Sequence, residues 1–93
     1  KYIISIKENV PIGTIITQVN SIDLDSKINR IVDYSIDNNT NLFKIDSKSG
    51  LITVLNNIDR ELIGDWFNLT VKAKNIDNLY SETIVYINIL DIN

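Results

Sequence analysis

The sequence predicts an all-β fold, a seven-stranded Greek-key β-sandwich, and three observations support this prediction. Segments such as Val32–Ile36 and Thr83–Ile89 alternate β-branched or aromatic residues with polar ones, which is the period of a half-buried strand. Such segments recur about every 8–15 residues with turn residues between them, as sandwiches require. No segment keeps a helical pattern over roughly ten residues.

Each strand is predicted from its own alternation and from the turn residues that bound it. Asp46–Gly50 is predicted to be a tight hairpin in which Gly50 supplies a positive φ, and Pro11–Gly13 separates the first two strands. The predicted strands are residues 2–7, 13–20, 31–36, 42–46, 51–55, 66–74 and 82–90.

Length and composition predict one domain and exclude several functions. The chain has 93 residues, 44% of them hydrophobic and 23% charged, and its net charge of −3 argues against nucleic-acid binding. No apolar run is long enough to span a bilayer, so direct membrane insertion is not expected. The chain has no histidine and no cysteine, which removes the usual nucleophile pairs and zinc sites and predicts that it is not an enzyme.

Acidic residues are predicted to gather at the two ends of the sandwich. If successive strands run antiparallel, one end, here called the lower pole, collects Glu8, Asp59, Glu61, Asp91 and Asn93. The other end, the upper pole, collects Asp23, Asp25, Asn29, Asn75 and Asp77. At the lower pole, the carboxylates are relieved only by Arg60, so they repel one another unless a cation lies among them.

A set of hard oxygen donors without histidine or thiolate indicates calcium. Three alternatives remain open at this point. The acidic residues could simply populate exposed loops. Asp59 and Glu61 could form the carboxylate pair of a glycosidase, although nothing else in the sequence supports one. A metal-independent immunoglobulin- or fibronectin-like binding module would keep the sandwich but would not need acidic poles.

Six segments in order resemble the cadherin repeat, over nearly the whole chain. Glu8–Thr14 resembles the Glu-Asn-x-Pro-x-Gly-Thr opening of the family, and Asp59–Glu61 resembles its Leu-Asp-Arg-Glu motif, preceded here by Ile58. The remaining matches are Asp23–Asp25 with Asn29, Tyr34–Ile36, Phe43–Asp46 with Gly50–Ile52, and Asp91–Asn93, which resembles the first half of the inter-repeat linker.

The resemblance implies an extracellular repeat of a plasma-membrane adhesion protein whose junctions bind calcium. Residues 1–93 would form one internal repeat, and residues 91–93 would begin the linker. Each junction would hold three calcium ions. The lower pole would contribute Glu8, Asp59, Glu61, Asp91 and Asn93, and the upper pole Asp23, Asp25, Asn29 and Asn75. The expected partners are neighbouring repeats and cadherin-like proteins on other cells.

One position departs from the family pattern. The family usually has Ala-x-Asp after the sixth strand, whereas Ala73-Lys74-Asn75 places a neutral amide there, so either Asn75 or nearby Asp77 could be the ligand.

Two further expectations concern the sixth strand and the glycosylation sequons. Trp66 is expected to begin the strand and partly cover the core beside Tyr34. Sequons occur at Asn38 and Asn68, but a chain so rich in Asn, Ser and Thr produces two by chance, so they do not indicate secretion. Alternation predicts that Asn68 faces solvent.

Overall fold

A computed structural model describes residues 2–20, 31–37 and 40–92. Its elements are β1 (Tyr2–Lys7), β2 (Ile15–Gln18), β3 (Ile31–Ile36), β4 (Phe43–Ile45), β5 (Leu51–Val54), α1 (Arg60–Ile63), β6 (Trp66–Asn75) and β7 (Tyr80–Leu90). One sheet has the order β1-β7-β6-β3 and the other β2-β5-β4. The predicted all-β sandwich is therefore confirmed. No helix in these ranges has the length and apolar character needed to cross a membrane.

Strand direction separates the two poles. β1 pairs with β7 in parallel, with Lys7 opposite Leu90, so both strands finish at the lower pole. β6 runs antiparallel to β7 and to β3 and therefore finishes at the upper pole with Asn75. Because the domain is 46 Å long and only 20 × 19 Å across, the two poles lie at opposite ends of a rod-shaped body.

Alternating residues of the long strands β6 and β7 fill the space between the sheets. Leu69, Val71 and Ala73 on β6 are fully buried and belong to one continuous core with Ile52 of the opposite sheet. Each buried Leu, Ile or Val side chain contributes roughly 1.5–3 kcal/mol relative to exposure. The chain has no disulfide, so this core carries the fold in the absence of a ligand.

Trp66 does not cover the core, and that expectation was wrong. It begins β6 opposite Asn88, whereas Tyr34 lies opposite Ala73 near the other end of the same strand. Strand alternation turns Trp66 to the outer face, where 49% of it is exposed.

The next residue, Phe67, is the aromatic residue that packs on the core at this end of β6. Its ring packs against Phe43 with the centroids 5.7 Å apart, across the gap between the two sheets. Neighbouring residues of a strand face opposite sides, so the inward face of Phe67 requires that Trp66 face outward.

The β4–β5 hairpin is built as its sequence predicts. The Oδ1 atom of Asp46 accepts hydrogen bonds from the backbone N–H of Lys48 at 2.8 Å and of Ser49 at 3.0 Å. Gly50 has φ +76° and donates its N–H to the Asp46 carbonyl at 3.0 Å. The hydrogen bonds from Ser49 and Lys48 lower the pKa of the Asp46 carboxyl.

We expect Asp46→Asn to destabilise the domain at neutral pH and to have less effect in acid. The pKa of Asp46 is lower in the folded state than its ordinary value of 3.8, so the charged form stabilises the fold above that value. This stabilisation is lost as the pH falls through the folded-state pKa. Urea unfolding between pH 7 and about pH 2.5, with a chelator present, should therefore show the two stabilities converging. A difference that stays constant over this range would contradict the assignment.

Candidate calcium-binding poles

Three segments that are distant in sequence meet at the lower pole. The backbone N–H of Glu8 donates to the carbonyl of Leu90 at 3.0 Å, which places Glu8 beside the residue that precedes Asp91. The Arg60 side chain donates from Nε to the carbonyl of Ile89 at 3.1 Å, and this bond ties α1 to the end of β7. The end of β1, the β5–β6 connection and the end of β7 therefore share one pole.

The short helix α1 orients the acidic residues of the β5–β6 connection. Asp59 is its N-cap, with extended φ and ψ of −118° and 104°, and its Oδ1 accepts from the backbone N–H of Glu61 at 3.0 Å. Gly64 ends the helix at φ 84° and donates to the Arg60 carbonyl at 2.8 Å. The sequence does not predict this helix because only four residues separate the two caps, too few to show a helical period.

The chemistry of the lower pole fits a hard cation. Glu61 and Asp91 are exposed and Glu8 is partly exposed, and all three offer carboxylate oxygens, the donors that calcium prefers. Asp59 uses one oxygen as a helix cap, and a carboxylate has a second one. Within residues 2–20, 31–37 and 40–92, however, no three acidic side chains come close enough to one another to form a metal-holding group.

At the upper pole the structure describes only part of the predicted set. Asp23, Asp25 and Asn29 lie outside the described residues and stay predictions, as Asn93 does at the lower pole and Asn38 among the sequons. Ile31 pairs with Asn75, so β3 begins beside Asn75 at this pole.

Asn75 closes the turn between β6 and β7. Its Oδ1 accepts two hydrogen bonds, one from the backbone N–H of Asp77 and one from that of Leu79, both at 2.9 Å. Its backbone N–H donates to the Leu79 carbonyl at 2.8 Å, and Asn78 adopts a positive φ of 64° within the turn. The residue is 4% exposed, which makes it the one buried polar residue of the described part of the chain.

These hydrogen bonds limit the ability of Asn75 to act as a calcium ligand. A carboxamide has one oxygen, and both lone pairs of the Asn75 oxygen already accept backbone N–H groups. A carboxylate at this position would have a second oxygen to offer a cation. The turn-forming pattern Asn75-Ile76-Asp77-Asn78 is a sequence signal for this role, because an Asn side chain readily accepts from the backbone two residues on.

Comparison with known protein families and structures identifies the class of this β-sandwich with acidic poles. Residues 2–90 match the family model for the cadherin domain. The chain is 41% identical over 96 residues to the Fat-like cadherin-related tumor suppressor homolog of Drosophila melanogaster and 40% identical over 97 residues to Cadherin-9 of Mus musculus. These alignments cover 100% and 99% of the chain but only 2% and 12% of the relatives.

Solved structures give the same result. The third cadherin domain of human protocadherin 7 aligns with a TM-score of 0.80 at 32% identity, covering 99% of this chain and 82% of that one. Extracellular cadherin domains 3-6 of Protocadherin Gamma B2 align with a TM-score of 0.76 at 26% identity, covering 96% of this chain and 20% of that one.

The chain belongs to the cadherin family. It is a cadherin-type adhesion repeat and not an enzyme, because the proteins of this family are adhesion proteins. Membership of the cadherin family excludes the two alternative families, the glycosidase and the immunoglobulin- or fibronectin-like module.

Proposed function

We propose that this chain is one link of an extracellular, tandem-repeat adhesion protein whose inter-repeat junctions are stiffened by calcium. The observation that carries the proposal is the lower pole, where hydrogen bonds of Glu8 and Arg60 to the end of β7 bring three acidic segments together. Because like charges repel, acidic segments that converge on one pole favour a cation between them. The rod shape of the domain suits a spacer with one junction at each end.

The proposed ligands divide between the two junctions. Toward the following repeat they are Glu8, Asp59, Glu61, Asp91 and Asn93. Toward the preceding repeat they are Asp23, Asp25 and Asn29, with Asn75 as a weak contributor because its oxygen holds the β6–β7 turn. Three ions at a junction would each need six to eight oxygens, more than the side chains of either pole supply, so the neighbouring repeat must complete the coordination shells.

The partners follow from this division. Neighbouring repeats of the same chain are the immediate partners, and cadherin-like proteins on other cells are the proposed adhesive ones. The proposed location is the extracellular part of a plasma-membrane protein, where calcium reaches the millimolar concentrations that weak extracellular modules use.

Glu61→Ala tests the proposal in a protein that joins this chain to the repeat that follows it in its parent protein. We expect calcium to bind at the junction about tenfold or more weakly, because Glu61 is exposed at the pole and its carboxylate would be shared between ions. Small-angle scattering in millimolar calcium should show a bent, variable junction in the variant and an extended one in the unmodified protein. Circular dichroism should show both domains still folded.

Two controls separate a calcium effect from a general one. Glu82→Ala removes the same charge from an exposed site near the start of β7, toward the upper pole, and should leave the junction extended. This chain alone should gain only about 0.4 kcal/mol from 1 mM calcium at a Kd near 1 mM, since its half-sites are incomplete. Unchanged scattering for Glu61→Ala, or a melting temperature of the lone chain raised by about 10 °C, would contradict the proposal.

A further inference from the structure

The outer face of the four-stranded sheet presents a sequon beside an exposed indole. On β6 the residues Phe67, Leu69 and Val71 turn inward, so Trp66, Asn68 and Thr70 share the outer face. Asn68 is exposed, and the chain Asn68-Leu69-Thr70 meets the Asn-x-Thr requirement for N-linked glycosylation. Both side chains that define the sequon therefore point the same way, about 7 Å apart along the strand.

Large apolar groups surround Asn68 on this face. Trp66, two residues earlier, is 49% exposed, and Tyr86 lies directly across from Asn68 on β7. Ile3 lies next to Tyr86 on β1 and is 61% exposed. Residues opposite each other on paired strands have Cβ atoms about 5 Å apart, so Tyr86 is within reach of a group attached to Asn68. An exposed apolar patch of this kind is typical of a surface that another group covers.

We infer that Asn68 is an N-glycosylation site and that its first sugar covers the Trp66 indole. This inference rests on the proposed extracellular location of the chain. The C–H-bearing face of a pyranose is apolar and packs against an aromatic ring, while its hydroxyls remain in water. A sugar of this kind supplies the cover that the sandwich itself does not give to Trp66.

Attachment of the sugar is a group transfer that needs no oxidant or reductant. The donor is a lipid diphosphate-linked oligosaccharide, supplied by the secretory pathway. The Asn68 amide nitrogen forms a bond to the anomeric carbon of the first sugar, and the bond from that carbon to the diphosphate oxygen breaks. The lipid diphosphate leaves with the electron pair, and the amide nitrogen releases one proton to a base of the transferase.

The attachment is tested on the chain secreted from eukaryotic cells behind an added signal sequence. Intact mass should show an oligosaccharide that is lost in Asn68→Gln and in Thr70→Val but kept in Thr70→Ser, which retains the hydroxyl. Asn38→Gln accounts for the other sequon. Absence of sugar from Asn68, whether or not Asn38 carries one, would overturn the inference.

Fluorescence tests the contact with the indole, since Trp66 is the only tryptophan in the chain. An endoglycosidase that leaves the first sugar in place should not change the emission of Trp66. Asn68→Gln, which carries no sugar there, should shift the emission to longer wavelength and increase its quenching by acrylamide. Identical emission with and without the sugar would overturn the packing of the sugar on Trp66.

These results are independent of the proposed calcium function. The signal sequence delivers the chain to the transferase wherever the parent protein resides, and calcium binding is measured on protein made without sugar. A glycosylated Asn68 with no calcium response would count against the proposed function alone, and the reverse result against this inference alone.

Discussion

Gly50→Ala should destabilise the domain by about 3–5 kcal/mol, the largest stability effect that we expect from a single methyl group. Gly50 has φ +76°, a conformation that costs an L residue about 1–2 kcal/mol. A Cβ at this position would also overlap the carbonyl oxygen of Val19. Val19 is fully buried and donates its N–H to the Gly50 carbonyl at 2.9 Å, so the backbone there cannot move away without breaking the contact between β2 and the hairpin.

Gly13→Ala is the matched control for this substitution. Gly13 has a similar positive φ of +92°, but nothing lies within 4 Å of the position that its Cβ would take. It should therefore show the conformational cost alone, about 1–2 kcal/mol. Thermal unfolding of the two variants and of the unmodified chain measures the difference. The melting temperature of Gly50→Ala should lie about 15 °C or more below that of the unmodified chain. Equal losses for the two variants would show that the overlap with Val19 is relieved at no cost.

The fold was largely predictable because each strand carries its own alternation. The predicted bounds of β1 and β3 agree with the structure, since both strands end at clear turn residues. β2 is shorter than predicted because its register against β5 shifts between Ile15 and Thr17, and Val19 bonds to the hairpin instead. β7 begins earlier than predicted because antiparallel pairing with β6 continues as far as Lys74 opposite Tyr80.

The details of the poles were less predictable because they depend on single hydrogen bonds between distant residues. Alternating strand direction predicted that the end of β1, the β5–β6 connection and the end of β7 share one pole, but it did not predict the bond from Arg60 to the Ile89 carbonyl that holds α1 in place. The outward face of Trp66 follows from the same alternation that buries Leu69 and Val71, and the expectation that Trp66 covers the core did not apply that alternation to it. In the sequence motif, Asn75 looks equivalent to an aspartate as a ligand. Only the hydrogen bonds of the turn show that the single oxygen of Asn75 is already used, whereas a carboxylate has a second oxygen.

Because of the β6–β7 turn, the residue at position 75 is expected to have a large effect on calcium affinity at the upper junction, the one with the preceding repeat. An aspartate there could accept the N–H groups of Asp77 and Leu79 with one oxygen, as Asn75 does, and present its second oxygen to a cation. The substitution also adds a charge at coordination distance, and an added unit charge is worth about 1–4 kcal/mol at the effective dielectrics of a protein surface. Asn75 is buried, so the turn is expected to fix the new carboxylate in place.

Asn75→Asp should therefore tighten calcium binding at the upper junction by about tenfold or more. The measurement is calorimetric titration of calcium into a protein that joins this chain to the repeat preceding it, and one binding step should gain affinity. Asn41→Asp, the same change at an exposed site beyond the other end of the sheet, should leave that affinity unchanged. If Asn75→Asp has no effect while Asp77→Ala weakens binding, the ligand is Asp77, and Asn75 serves only to close the turn.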